Sequence, residues 1–248
     1  MIPVTPSRLT RSLTRGLAIF AAALALAAAA QAADPPGRPR AAEAPPPRGL
    51  HFVYLIRHGG YDRDSLADDR LGNGLNALGR EQAQLVGVRL AALPVKIHAL
   101  VASDFARARE TATIIGGALG MTPAQDSLIH ECTPASMRTD LMRSHTPESM
   151  ALCDSNLTAA WARYLRPTPE ADTHDVLVCH GNVIRWLVSR AVGADTRRWA
   201  DMDIANASIT VIAVRPDGTT RLVMFSDVGH LPVEKQSWSG RGAGWGAR

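Results

Sequence analysis

The run Tyr54-Leu55-Ile56-Arg57-His58-Gly59 carries apolar residues straight into an arginine, a histidine and a glycine. Such a run reads as a buried strand, and open α/β sheets bind ligands at the carboxyl ends of their strands. A second apolar run, Val176-Leu177-Val178-Cys179, also ends in a histidine and a glycine, His180-Gly181. Between the two lie Arg107, at the start of a helical pattern, and Glu131, after the apolar pair Leu128-Ile129. The chemistry open to this set is phosphoryl handling. A neutral imidazole can attack phosphorus. The planar guanidinium fork binds two phosphate oxygens at once. A carboxyl can give a proton to a leaving group and take one back from water. Arg-His-Gly alone recurs by chance, and a lone histidine after a strand is ordinarily structural. The weight rests on the combination.

These side chains need strand ends and helix starts to hold them. His51 to Arg57 reads as the first strand. A helix opens at Ala77-Leu78-Gly79, since Leu78, Ala83, Val86, Leu90 and Leu93 fall near a 3.6 period, and Pro94 stops it. Ile97 to Val101 is a short strand, and Asp104 to Leu119 a helix ended by Gly120. Residues 128–155 lack a clean period and read as a loop-rich excursion. Leu157 to Leu165 is a helix before Pro167, Asp175 to Cys179 a strand, and Val183 to Val192 a helix. Ser208 to Val214 and Arg221 to Phe225 bracket the turn Pro216-Asp217-Gly218. Strands alternating with helices imply an α/β three-layer sandwich: a mostly parallel central sheet, helices on both faces and an antiparallel edge hairpin.

Four stretches carry a resemblance: Leu55-Ile56-Arg57-His58, Leu78-Gly79-Arg80-Glu81-Gln82-Ala83, Cys179-His180-Gly181-Asn182-Val183-Ile184-Arg185 and Asn206-Ala207-Ser208-Ile209-Thr210. Over about residues 51–237 the chain resembles the histidine phosphatase superfamily, the phosphoglycerate-mutase-like enzymes. It is most similar in flavour to that family's mitochondrial serine/threonine protein phosphatase branch. The resemblance implies an α/β sandwich and a phosphohistidine intermediate. It makes His58 the nucleophile, and the Ser-x-x-x-Arg-Ala-x-x-Thr-Ala pattern selects Arg107, beside Arg57, as the second phosphate clamp. Arg109 and Arg89 read as solvated helix residues. His180 is implied to hydrogen-bond the phosphoryl group opposite the nucleophile. Glu131, in Ile129-His130-Glu131, fits the family's acid setting, with Glu148 and Glu110 as competitors. Neighbouring arginines favour a neutral nucleophile and stabilise the transferring group. The two histidines could instead hold a metal, but no third ligand stands at metal spacing and the arginines would repel a cation. No metal and no cofactor are expected. Gly60-Tyr61-Asp62-Arg63-Asp64 departs from the mutase pattern after Arg-His-Gly, and the acid-phosphatase Arg-x-Pro is missing, so the expectation is a phosphatase of another substrate.

The chain's ends give the remaining expectations. Arg8, Arg11 and Arg15 precede an apolar run from Leu17 to Ala30, followed by Ala30-Gln31-Ala32. This reads as a signal peptide over residues 1–33, too short for a membrane span, with a periplasmic or secreted location and no stable membrane insertion after cleavage. Residues 34–48 read as a Pro-rich linker, 49–237 as the domain and 238–248 as a mobile tail. The net charge of +4 falls to +1 once the three leader arginines leave, which gives no case for nucleic-acid binding. Cys132, Cys153 and Cys179 are too few for a disulfide framework. A Cys132–Cys153 bridge is open, and spacing alone does not decide it. The partner is a phosphorylated substrate, a phosphopeptide or a small phosphomonoester such as an envelope sugar phosphate. A homodimer and a non-catalytic phosphate- or partner-binding module stay open as alternatives.

Overall fold

The computed structural model describes residues 49–168 and 170–238. The leader, the linker up to residue 48 and residues 239–248 of the tail lie outside the described residues. Strand β1, His51–Arg57, is buried along nearly its whole length. Its neighbours are β4, Thr173–Cys179, in parallel, and β5, Ile209–Val214, antiparallel. The short β2, Ala99–Ala102, pairs in parallel with β4 and with the two-residue β3, Ala124–Gln125. The hairpin strand β6, Thr220–Asp227, closes the other edge, so the order is β3-β2-β4-β1-β5-β6. Side chains alternate across this sheet. Val53 and Leu55 face one core with Leu177, Leu187 and Trp199. Ile56 faces the other with Val86, Ile115, Val176 and Val178. A central strand covered on both faces explains the unbroken apolar runs before His58 and His180.

Helix α1, Ala77–Ala91, is capped by Asn76, whose side chain accepts the Gly79 N–H at 2.9 Å. Helix α2, Ala106–Leu119, ends at Gly120 in the left-handed region, φ 67°, where glycine carries no Cβ penalty. A single turn, α3, covers Thr139–Met142. Helix α5, Gly181–Ala191, opens directly after His180. Among the described residues no helix is long and apolar enough to cross a membrane.

The excursion expected over 128–155 needs correction. Helix α4 runs Pro147–Tyr164, started by Thr146, which caps the Ser149 N–H, and by Pro147 in the first turn. It absorbs the second half of the excursion and the shorter helix expected from Leu157. Only Cys153, Leu157 and Ala160 are buried along it, a stripe too thin to show a period. Cys153 bonds to Cys132, with Cα atoms 5.7 Å apart, which answers the pairing question. Cys179 is free and buried inside β4.

One close approach fixes how α1 meets the loop after β1. A Cβ on Gly79 would stand 1.9 Å from the Gly60 carbonyl oxygen, and one on Gly59 would stand 2.4 Å from that of Gly79. Both obstacles are backbone, which cannot rotate aside. Gly79→Ala is therefore expected to cost about 1–3 kcal/mol of stability, the usual range for overpacking. It should also lower turnover, because the displaced segment follows His58. Denaturant unfolding alongside an aryl phosphate assay reads both effects, and wild-type stability would show that the contact relaxes freely.

Candidate active site

In the β1–β4 register Arg57 stands opposite Cys179, and the His58 N–H donates to the Cys179 carbonyl at 3.0 Å. This puts the two histidines side by side at the carboxyl edge of the sheet. Their ring centroids are 5.1 Å apart, and they are 1% and 0% exposed. His58 Nδ1 lies 2.8 Å from the Gly59 carbonyl oxygen. That oxygen only accepts, so Nδ1 holds the proton and Nε2 presents a lone pair. Arg107 Nε donates to this Nε2 at 3.3 Å. Burial, then the charges of Arg57 and Arg107, hold His58 well below the ordinary histidine value, so the ring is neutral at neutral pH.

His180 Nε2 lies 2.8 Å from Ser103 Oγ. The Phe105 N–H donates to the same oxygen, and the hydroxyl proton faces no acceptor but His180 among the described contacts. Ser103 therefore donates, and the proton of His180 sits on Nδ1, which is buried without a hydrogen-bond partner. Burial, then His58 and the two arginines, also lower the His180 pKa. The site thus holds one imidazole offering a lone pair and a second offering a spare N–H.

Arg57 and Arg107 are buried with them, 6% and 3% exposed. Arg57 donates to the Ile204 carbonyl. Burial pushes its guanidinium down to about 10, with Glu131 pulling the other way, so it stays cationic. Arg107, in the first turn of α2, lies between two aromatic faces, 4.7 Å from the Tyr61 centroid and 5.1 Å from that of Phe105. Its NH1 donates to Asp69.

Glu131 Oε1 accepts the Asn182 N–H of the first turn of α5 at 3.3 Å, where a helix favours negative charge. Burial raises its pKa, opposed by Arg57, Arg107 and Arg185. Its competitors stand apart. Glu148 is an exposed first-turn residue of α4. Glu110 accepts the Leu75 N–H and pairs with Arg80. Arg109 staples a loop through the Asp104 and Arg70 carbonyls, and Arg89 is exposed on α1. His130 stacks on Phe105.

Several supports were invisible as such in the sequence. Gln82 accepts the Gly60 N–H at 2.8 Å, Thr111 the Gly59 N–H at 3.1 Å, and the Asn206 side chain donates to the His58 carbonyl at 3.3 Å. Arg185 reaches the Gly181 and Met202 carbonyls and Asn182 Oδ1. Ser103, Gln82, Arg185 and Asn206 all fall inside recognised motifs. Asp69 sits in a loop crowded with aspartates, where nothing singled it out.

A neutral imidazole and a spare N–H between two buried guanidiniums, at the carboxyl ends of the paired parallel strands β1 and β4, form a pocket suited to an anion such as phosphate. The profile of the Histidine phosphatase superfamily (branch 1) matches residues 53–139 and 130–227, and the chain belongs to that superfamily. It is a phosphoric monoester hydrolase. It is 36% identical over 198 residues to serine/threonine-protein phosphatase PGAM5, mitochondrial, of Xenopus tropicalis, a match covering 77% of this chain and 69% of the frog protein. It is 36% identical to the Homo sapiens protein of the same name, covering 76% of this chain and 66% of that protein. A phosphoglycerate mutase from Plasmodium falciparum superposes with a TM-score of 0.53 at 23% identity, over 74% of this chain and 95% of the mutase. That likeness speaks for the fold alone. The periplasmic or secreted location expected from the amino-terminal residues is overturned by these relatives, whose names place them in mitochondria.

Ser103→Ala is expected to free His180 to change tautomer. Losing one buried hydrogen bond of about 1–3 kcal/mol corresponds to a fall of roughly tenfold or more in aryl phosphate kcat/KM. Inhibition by inorganic phosphate should weaken in parallel, and the melting temperature should fall by about 2–4 °C per kcal/mol lost. Unchanged kinetics would mean that Ser103 does not set the tautomer.

Proposed function

We propose that the protein is a metal-independent protein phosphatase acting through phosphohistidine on His58. The observation that carries this reading is the neutral His58, with its Nε2 lone pair beside Arg107 and its Nδ1 proton on the Gly59 carbonyl. Arg57 and Arg107 neutralise the oxygens of the incoming phosphoryl group, and the His180 Nδ1–H donates to one of them. His58 Nε2 forms the N–P bond as the ester P–O bond breaks. The departing alkoxide takes a proton from Glu131. The imidazole is then cationic, and its Nδ1–H stays on the Gly59 oxygen. Water attacks the phosphohistidine phosphorus and passes a proton to the Glu131 carboxylate as the N–P bond breaks, which restores the acid, returns the lone pair to His58 Nε2 and releases phosphate. Positive charge comes from the arginines where a metal would otherwise supply it. The curated relatives named above support a phosphoserine or phosphothreonine protein as substrate.

Two experiments test the reading. Activity should survive EDTA, and a brief exposure to substrate should leave acid-labile phosphate on His58. His58→Ala should lose both label and turnover, and full activity in that variant would sink the assignment. Glu131→Gln keeps shape and removes the proton. It should slow a phosphoserine peptide by on the order of 10²-fold under single-turnover conditions and spare nitrophenyl phosphate, whose phenolate leaves without help. Equal losses on both substrates would reduce Glu131 to a packing role, and the same comparison on Glu148→Gln shows whether another carboxyl serves.

A further inference from the structure

Arg107 donates a hydrogen bond to His58, and its aim is set by contacts from outside its own helix. Tyr61 and Phe105 lie against its guanidinium. Faces of that kind fix the plane of the group but not its rotation within that plane. Rotation is fixed by acceptors at the edge. Two edge contacts are present: Nε on His58 Nε2 at 3.3 Å, and NH1 on Asp69 Oδ1 at 2.5 Å. The first is with the group to be reached. The second is the anchor.

Asp69 is well placed to anchor. Its Oδ1 also accepts from Asn73 Nδ2 at 3.0 Å, and its carbonyl accepts the Ala106 N–H at 2.8 Å, one residue before Arg107. Asn73, at φ 52°, in turn holds Asp64 through both ends of its amide. The loop between Tyr61 and Asn76 is thus folded on itself around the carboxylate. The pair is asymmetric: the arginine side chain is 4% exposed and the aspartate 40%. The charge pinning the buried cation therefore faces solvent, where it does not compete with phosphate for the pocket interior.

We infer that Asp69 is the positioning residue for Arg107, and that the loop carrying it is part of the phosphate clamp. This rests on the phosphohistidine reading above and adds to it a residue that reaches the phosphoryl group only through Arg107. An arginine has five N–H donors, and these two contacts use two of them. With rotation fixed, the other three stay available to an incoming phosphoryl group.

The charged and titratable groups around His58 are Arg57 on β1, Arg107 on α2, His180 after β4 and Tyr61 on the loop, with Asp69 behind Arg107. Arg107 is one of the two charges that lower the His58 pKa. If Asp69 holds Arg107 in place, removing its charge lets the guanidinium turn away, and the His58 pKa rises. The acid limb of the pH–rate profile then moves to higher pH. If Asp69 only screens a guanidinium that stays in place, removing it exposes His58 to more positive charge, and the limb moves to lower pH.

The test uses the full chain as wild type, Asp69→Asn and Asp69→Glu, with Glu170→Gln, an exposed carboxylate outside this loop, as control. Inorganic phosphate binding is measured by calorimetry, nitrophenyl phosphate kinetics across pH, and melting temperature throughout. In Asp69→Asn phosphate affinity should fall about tenfold, the scale of a charge-assisted hydrogen bond. kcat/KM should fall at least as far, and the acid limb should move up. Asp69→Glu should recover part of each loss, while Glu170→Gln matches wild type. Wild-type phosphate affinity in Asp69→Asn overturns the inference, as does an acid limb that stays or moves down. If wild type itself binds no phosphate, the underlying site reading fails and the inference with it. If phosphate binds normally but no phosphohistidine forms, only that reading fails and the positioning role stands on the binding data.

Discussion

Buried positive charge is the constraint around which this structure is organised. Arg57 and Arg107 lie almost wholly out of water beside two buried imidazoles. Charge removed from water is costly unless it is paired and hydrogen-bonded. Several groups offset that cost. Ile204 gives Arg57 a carbonyl, Asp69 gives Arg107 a carboxylate, and Glu131 lends negative charge from the head of α5. Adding a proton to either histidine would add a third cation to the group, and both are held neutral. On the proposed reading, neutrality is what gives His58 a lone pair to attack with. The electrostatic problem of burying the clamp and the chemical requirement for a nucleophile thus have one solution.

Such a cluster needs a rigid frame, and the frame is drawn from distant parts of the chain. The His58 carbonyl receives the Asn206 side chain and the Ala207 N–H, with Ala207 held at φ 52°. Gln82, fully buried in α1, accepts from Gly60 and donates to the Lys235 carbonyl and Ser237 Oγ. Ser237 in turn meets Asn206: its carbonyl accepts the Asn206 backbone N–H, and its hydroxyl donates to Asn206 Oδ1. The segment after β6 therefore closes a loop of hydrogen bonds behind the nucleophile. Such polar networks rigidify their surroundings, and here they fix three successive residues, His58 to Gly60, two of which are glycines with no side chain to pack.

The sequence made the sheet legible because its central strands are covered on both faces. The run before His58 and the run before His180 stand out for that reason, and β1 falls on His51–Arg57 as expected. The edge hairpin was equally plain from Pro216-Asp217-Gly218, with Gly218 at φ 82°. Helix α4 was hidden because three small or medium residues, Cys153, Leu157 and Ala160, are all it buries. A hydrophobic period cannot show where the buried stripe is so narrow. At the site, Arg57, His58, Arg107, Glu131 and His180 could be singled out because chemistry restricts their types. Ser103 stood inside the Arg107 motif, but its bond to His180 joins segments distant in sequence, as does that of Asp69 to Arg107, and such contacts leave no pattern to read.

Glu131 shows why the order of events at the site follows from electrostatics. On the proposed reading it must be protonated when the ester bond breaks and ionised when water attacks. Burial pushes its pKa up, while Arg57, Arg107 and Arg185 and the Asn182 N–H pull it down. An arriving phosphomonoester brings negative charge to the same arginines. Their pull on Glu131 is then largely spent, and the burial effect dominates, so substrate binding itself favours the protonated acid. Once the alkoxide has left with that proton, Glu131 is an anion between Arg185 and the amino end of α5, where ionisation is supported. Water meets a base rather than an acid. Arg185 is held away from the phosphate pocket by the Gly181 and Met202 carbonyls and stacked on Trp199 at 4.7 Å. Its charge therefore stays on Glu131 whether or not phosphate is bound, and this fixed bias limits how far the carboxyl's pKa can swing in each turnover.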